Sequence, residues 1–347
     1  MDKNRKLQNV LNKTVDGKKV FGTSFAIKKD DFAWRGNAGN FNENQSYFVA
    51  STTKLFTTAI ILKLCEKGDI ALTDKVTKYF DKSVLVKLSN YGGIDYYDSL
   101  TVKNLLSHTS GIPDYFQGKG ANGNSLEDEL LVGHDQSWDF DETIKRAKRM
   151  PSPFAPETKN KALYSDTNFQ LLGKIIENIT GSSYSEICDT LIINPLNLTN
   201  TYLYNDEYDN KPKTLYYKTN ELHIPKAMSS FGPDGGIVSN SFEMLVFIEA
   251  FFTGKLFPST YLDSLQQWNR IFFPMRSGVG IHLLKLPWIF NPFGNVPNFI
   301  GHSGLSGALA YYCPEENIYI AGTVNQIAHP DTSFRTMIKL TQILMRN

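Results

Sequence analysis

Apolar residues fill Leu55 to Cys65 with few interruptions, too long for one strand and dense enough to predict a helix buried on most sides. Ser51-Thr52-Thr53-Lys54 opens that run and Gly68 stops it. A second helix is marked by the stripe Leu171, Leu172, Ile175, Ile176 and Ile179, closed by Gly181 and introduced by Tyr164-Ser165-Asp166-Thr167-Asn168. Elsewhere the period is two. Val20 to Lys28 and Phe32 to Gly36 read as paired strands around Lys29-Asp30-Asp31, after a polar, helical stretch at Gln8 to Lys19. Strand character returns around Gly280. Gly301-His302-Ser303-Gly304 then leads into Ala308 to Tyr312 and, across Pro314-Glu315-Glu316-Asn317, into Ile318 to Val324, a hairpin whose first strand starts at the histidine. Between Gly68 and Pro225 short helices dominate: one capped by Thr101 and ended by Gly111, one over Asp141 to Met150, one over Tyr184 to Ile193. A closing helix runs from Thr332 to Met345, with Phe334, Met337, Ile338, Leu344 and Met345 roughly on one side and Thr341 among them.

This order predicts an α/β chain of the α+β type. Late strands pair with the early hairpin in an antiparallel sheet flanked by the terminal helices. The expected division is a discontinuous sheet domain, residues 1–68 and 226–347, and a mostly helical insertion, residues 69–225. No repeats or low-complexity linkers interrupt it.

Three polar signals stand at element boundaries. Ser51 and Lys54, three residues apart, share a helix face, and a serine at a helix start lies among unpaired backbone N–H groups at the positive dipole end. That is one recipe for an activated nucleophile; a capped helix with a solvated lysine is the plain alternative. Tyr164 precedes a helix N-terminus, where phenolate is favoured, although it can equally pack against that helix. His302 begins strand character and has a similarly plain reading, one nitrogen satisfied on an edge strand.

Together, and with Leu105-Leu106-Ser107-His108-Thr109-Ser110-Gly111, Asn194-Pro195-Leu196-Asn197-Leu198 and Gly235-Gly236-Ile237-Val238-Ser239 in order, the chain resembles the serine β-lactamase and penicillin-binding-protein-like hydrolases of the class C type. That group includes DD-carboxypeptidases, D-aminopeptidases and carboxylesterases. The resemblance implies the β-lactamase/transpeptidase-like fold and a covalent acyl-enzyme. Ser51 would be the nucleophile, with Lys54 and Tyr164 managing its proton. The backbone N–H groups of Ser51 and Leu305 would form the oxyanion hole, Leu305 following His302-Ser303-Gly304 on the edge strand. Asp166, Ser303 and Gly304 would contact substrate. His302 would orient the proton network or attract a carboxylate, and His108 is read as structural, bonded to backbone near Gly111. Gly235-Gly236 is read as permitting a tight backbone path.

Two departures bear on substrate. Asp166 stands where an asparagine is usual; a carboxylate only accepts hydrogen bonds and can pair with Lys54, holding it charged. His302 replaces a common lysine, weakening attraction for an antibiotic carboxylate. The resemblance therefore implies a serine hydrolase acting on an ester or a D-amino-acid-containing peptide amide, with a β-lactamase, a penicillin-binding sensor acylated without turnover, or a catalytically silent scaffold as alternatives.

The partner that the resemblance implies is a small molecule, an ester, peptide or lactam, and composition adds no other. A formal net charge of +1 over 347 residues gives no reason to expect nucleic acid or an anionic membrane. Cys65, Cys188 and Cys313 show no metal or redox spacing; Cys65 and Cys313 read as buried thiols, without a disulfide. Six histidines include no His-x-x-x-His pair, so neither zinc nor another cofactor is expected. The start of the chain lacks the apolar core of a signal peptide, and Met244 to Phe252, interrupted by Glu249, is too short to span a bilayer. The expectation is a cytoplasmic protein, or a secreted one if a leader has been removed. Nothing in the pattern specifies an oligomer. Finally, Ile271 to Phe299 carries Phe272, Phe273, Trp288, Phe290, Phe293 and Phe299 with Pro274, Pro287, Pro292 and Pro297. It reads as a proline-rich loop over the sheet, or as an apolar wall near the substrate.

Overall fold

The computed structural model describes residues 2–120, 123–291 and 296–346. Its frame is an eight-stranded antiparallel sheet: β1 (Gly22–Lys29), β2 (Phe32–Gly39), β3 (Asn269–Phe272), β4 (Met275–Ser277), β5 (His282–Leu284), β6 (Phe299–Ser303), β7 (Ala308–Cys313) and β8 (Ile318–Thr323). Across the sheet the order is β3-β4-β5-β6-β7-β8-β1-β2. The early hairpin thus joins the late meander through β1 and β8, with Ser24 opposite Thr323 and Lys29 opposite Ile318.

β1 is buried on both faces from Gly22 to Ile27, and its polar members are paired: Thr23 Oγ1 donates to Thr323 O and Ser24 Oγ bonds Ser241 Oγ, each at 2.8 Å. One face packs on α1 (Lys3–Thr14) and α5 (Asp331–Met345), through Leu7, Leu11, Met337, Leu340 and Leu344. The other meets the helical side of the molecule, led by α2 (Lys54–Lys67) and α4 (Ser241–Phe252), where Phe56 stacks on Phe247 with ring centroids 3.8 Å apart. α3 (Asp166–Thr180) lies against α2 with Leu171, Leu172, Ile175 and Ile176 buried, and ends at Gly181 at a φ of 69°. Within α3, Gly173 is dictated by space: a Cβ there would meet Pro233 at 2.4 Å. A small sheet of Tyr47–Phe48, Ile237–Ser239 and Tyr202–Leu203 ties the segment before α2 to two loops of the helical side.

Several boundaries differ from the sequence reading. His302 does not start a hairpin: it sits inside β6, a separate strand between β5 and β7, so it is internal and not on an edge. The Thr101-capped helix stops at Leu106, because His108 adopts a left-handed φ of 58° well before Gly111. Part of the aromatic segment is sheet, supplying the end of β3 together with β4 and β5, while the stretch from Lys285 to Asn291 is loop with a 3-10 turn. Pro292 and Phe293 lie outside the described residues. Cys65 is half-buried, while Cys188 and Cys313 are buried; all three thiols are free. Among the described residues no helix is long and apolar enough to cross a membrane.

Candidate active site

Ser51 lies not on the long helix itself but in a 3-10 turn, Ala50–Thr53, that feeds it. Ala50 holds a φ of 47°, strained for a residue with a side chain. The turn is pinned by backbone: Val49 N–H donates to Ile237 O at 3.0 Å, and Ile237 N–H donates to Thr53 Oγ1 at 3.0 Å. Ser51 is thereby left half-exposed at the start of α2, while Lys54, one turn on, is fully buried.

A buried ammonium must be paired. Lys54 Nζ donates to Asp234 O at 2.6 Å and stands 2.5 Å from Asp166 Oδ1. It also sits over the rings of Tyr164 and Phe169, 5.0 and 5.4 Å from their centroids. Burial alone would push the ammonium down, but Asp166, then Tyr164 and Asp234, hold it above the ordinary lysine range. Burial and then Asp166 likewise hold the Tyr164 phenol above the ordinary tyrosine range, against hydrogen bonding from Lys54 and Ser51. The resting site therefore holds a charged lysine and a neutral phenol. Sequence reasoning missed Asp234, whose Oδ2 accepts from Tyr115 Oη at 2.9 Å and Gln170 Nε2 at 3.0 Å.

It also missed Asp114. Burial and the charge of Asp166 push this carboxyl up to about 8, although the amides of Phe116, Gln117 and Asp166 donate to it. A carboxyl raised in the folded state binds a proton that the unfolded chain has already lost above about pH 4. Its stabilising contribution is complete below that point and disappears as the pH rises towards 8. We expect urea midpoints of the native protein to fall over this window, and the fall to be shallower in Asp114→Asn. Parallel curves would remove Asp114 as the titrating group.

Opposite Ser51 lies the turn after β6. Gly304 N–H donates to Ala308 O at 2.8 Å, and Ser306 Oγ donates to Phe48 O at 2.8 Å, binding the turn to the segment before Ser51. Gly304 is packed so closely that a Cβ would come 2.5 Å from Val49 O and 3.1 Å from Ser51 N. Leu305 belongs to this turn and not to a strand, and it lines the same cleft as Ser51. Gly304→Ala should push the two segments apart and cost about 10²-fold in kcat with little change in KM, the effect of losing one oxyanion donor. A normal kcat would show that Leu305 N–H plays no such part.

Three histidines gather behind Tyr164, all buried. His302 Nδ1 is 2.8 Å from Ser303 O. His282, on neighbouring β5, stacks on His302 with centroids 4.1 Å apart; nothing in the sequence beyond strand character near Gly280 pointed to it. His108 Nδ1 accepts from Ser165 N–H at 3.2 Å, and its ring stacks on Tyr164 at 4.9 Å. Its partner is thus the residue after Tyr164 rather than backbone near Gly111, so it braces the tyrosine. Burial, followed by neighbouring positive charge, holds all three imidazoles below the usual histidine range. Among the described residues no cluster of His, Cys, Asp and Glu could hold a metal ion.

Two spaces meet at Ser51. An apolar pocket of about 570 Å³, including its mouth, runs into the helical side between Phe116, Leu130, Met228 and Phe231, with Glu127, Asp166 and Asp234 as its acidic members. A wider cleft of about 1480 Å³, including open solvent, passes Tyr164, His282, His302, Ser303, Gly304 and Leu305. Phe272, Phe273, Leu284 and Leu286 form its apolar wall; Trp288, 78% exposed, does not.

The Beta-lactamase family model matches residues 7–339. The D-alanyl-D-alanine-carboxypeptidase/endopeptidase AmpH of Escherichia coli is 24% identical over 300 residues, covering 83% of this chain and 72% of that protein. Protein flp of Staphylococcus aureus is 30% identical over 172 residues, half of this chain but only 31% of flp. In fold the chain is similar to the D-amino acid amidase from Ochrobactrum anthropi SV3 complexed with D-phenylalanine, with a TM-score of 0.81, 20% identity and full coverage of both chains. With its match over nearly the whole length, the chain belongs to the Beta-lactamase family and is a serine hydrolase of that family.

Proposed function

We propose that this hydrolase cleaves amides or esters whose acyl half is an amino acid with a free ammonium and an apolar side chain, through an acyl-enzyme on Ser51. The observation that carries the reading is the pairing of Glu127 and Asp166 with the apolar pocket that opens at Ser51. An apolar pocket suits a side chain, and carboxylates at its wall suit an ammonium beside the scissile carbonyl. Burial raises the Glu127 carboxyl, with Gln117 its hydrogen-bond donor; an arriving ammonium would supply the counter-charge that burial denies it. The likeness in fold to a D-amino acid amidase favours the D configuration.

In this reading Ser51 Oγ bonds to the acyl carbon while the oxyanion takes the Ser51 and Leu305 N–H groups. The serine proton passes to the Tyr164 oxygen as the tyrosine's own proton moves to Lys54 and one lysine proton moves to Asp166. The same relay runs backwards to protonate the leaving nitrogen or oxygen, and water then repeats the sequence to release the acid. Asp166, unlike an asparagine, is able to take that proton.

Intact mass after mixing with D-phenylalanine p-nitrophenyl ester should show a transient adduct at Ser51, absent in Ser51→Ala. Glu127→Gln should raise KM about tenfold for this ester and leave the 3-phenylpropionyl ester, which lacks the amine, unchanged. Equal effects on both would defeat the ammonium assignment. Faster acylation by benzylpenicillin than by either ester would favour the lactam reading instead.

A further inference from the structure

We propose that His282 and His302 form a leaving-group subsite that takes an uncharged hydrogen-bonding group, a carboxamide or a hydroxyl, and discriminates against a free carboxylate. The proposal concerns the half of the substrate that departs, and rests on the acyl-enzyme reading above only for its kinetic test.

The cleft wall next to Ser51 holds three buried nitrogens without a partner: Nδ1 and Nε2 of His282, and Nε2 of His302. A buried polar atom left unsatisfied costs about 1–3 kcal/mol, so three in one wall mark a place where something else supplies the bonds. Their character follows from geometry. Ser303 O can only accept, so His302 Nδ1 at 2.8 Å donates to it and Nε2 keeps its lone pair. His282, opposite Gly301 in the register and stacked on His302, carries one N–H and one lone pair in its neutral form. The pair therefore presents one donor and two acceptors. The two nitrogens of one imidazole point away from each other, so a single group meets His302 Nε2 and one nitrogen of His282. A primary carboxamide, carrying both N–H and C=O, answers that pair in either tautomer of His282, whereas a carboxylate has no N–H for the His302 Nε2 lone pair.

Charging a ring would reverse this preference, and the surroundings oppose it. Burial and Lys54 push His282 down to about 3; burial, His282 and Lys54 push His302 well below its usual range. Among the described residues that line the cleft, the one cation, Arg335, is paired with Asp331, and the buried Lys54 is paired with Asp166.

Acyl transfer tests the subsite in the synthetic direction. A p-nitrophenyl acyl ester loads Ser51, and glycinamide or glycine is added as acceptor at equal free-amine concentration. The amine nitrogen bonds to the acyl carbon, the bond from that carbon to Ser51 Oγ breaks, and the surplus amine proton passes to Oγ. We expect capture by glycinamide to exceed capture by glycine by at least tenfold. His282→Phe should reduce the preference to within about twofold, and His282→Gln should restore most of it. A preference unchanged in His282→Phe, or none in the native protein, overturns the proposal. The second measurement needs no turnover. In Ser51→Ala, N-acetylglycinamide should shift the imidazole nitrogen resonances of His282 and His302 and N-acetylglycine should not. Equal shifts, or none, overturn it even where no acyl-enzyme forms, whereas selective shifts without any acylation would place the fault in the hydrolase reading alone.

Discussion

Tyr164→Phe should lower kcat by about 10³-fold while the protein keeps its fold. The estimate is the middle of the range for a positioned acid–base group. The ring contacts survive the change: phenylalanine can still stack on His108 and sit beneath Lys54. What goes is the one oxygen that bridges Ser51 and Lys54. In the proposed relay that oxygen both receives the serine proton and returns it to the leaving group, so acylation should suffer with alkyl esters and amides. It should suffer less with a p-nitrophenyl ester, whose leaving group needs no proton. Stopped-flow release of p-nitrophenol against amide turnover separates the two. A variant within tenfold of the native rate on amides would remove Tyr164 from the proton path.

Lys54→Met should destabilise the chain by about 3–5 kcal/mol, the usual consequence of stripping a buried charge of its partner. The cost falls on Asp166, which loses its ion pair, and on Asp234 and Asp114, which share the same buried space. Removing the ammonium takes away the charge that holds the Asp234 carboxyl down against burial, so the damage has a pH signature. It should be greatest near neutrality and shrink as the pH falls and that carboxyl takes up a proton. Urea unfolding at pH 7 and pH 5 would check both size and sign. An equal deficit at the two values would mean that the lysine matters for packing and not for charge. Ser51 should remain unacylated in this variant at either pH.

The sequence exposed what depends on short-range pattern. Ser51, Lys54 and Tyr164 lie at element boundaries, where polar residues interrupt apolar periodicity, and Asp166 opens a helix whose stripe is plain. The pairing of Asp166 with Lys54 was open to reasoning because only a carboxylate and an ammonium were at issue. What escaped were residues whose neighbours come from far along the chain. Asp234 reaches Lys54 across 180 positions, and its Gly232-Pro233-Asp234-Gly235 setting looks like any turn. His282 sits in a three-residue strand, too short for a period, and meets His302 only through sheet register. His302 reads as a strand start because Gly301-His302-Ser303-Gly304 leads into Ala308 to Tyr312, whereas Phe299 and Ile300 already pair with Leu284 and Leu283.

The pairing of β1 with β8 has a consequence for synthesis. A chain emerging from the ribosome in sequence order presents Ser51 and Lys54 early, yet β1 has only β2 to pair with until residues beyond 318 appear. The Leu305 turn that faces Ser51 comes almost as late. The long-range closure that completes the sheet also assembles the nucleophile's surroundings. With Leu305 N–H as the proposed second oxyanion donor, a nascent chain arrested near residue 290 is expected to expose Ser51 without becoming acylated. On that proposal, assembly of the sheet and onset of reactivity are one event, timed by the arrival of β8.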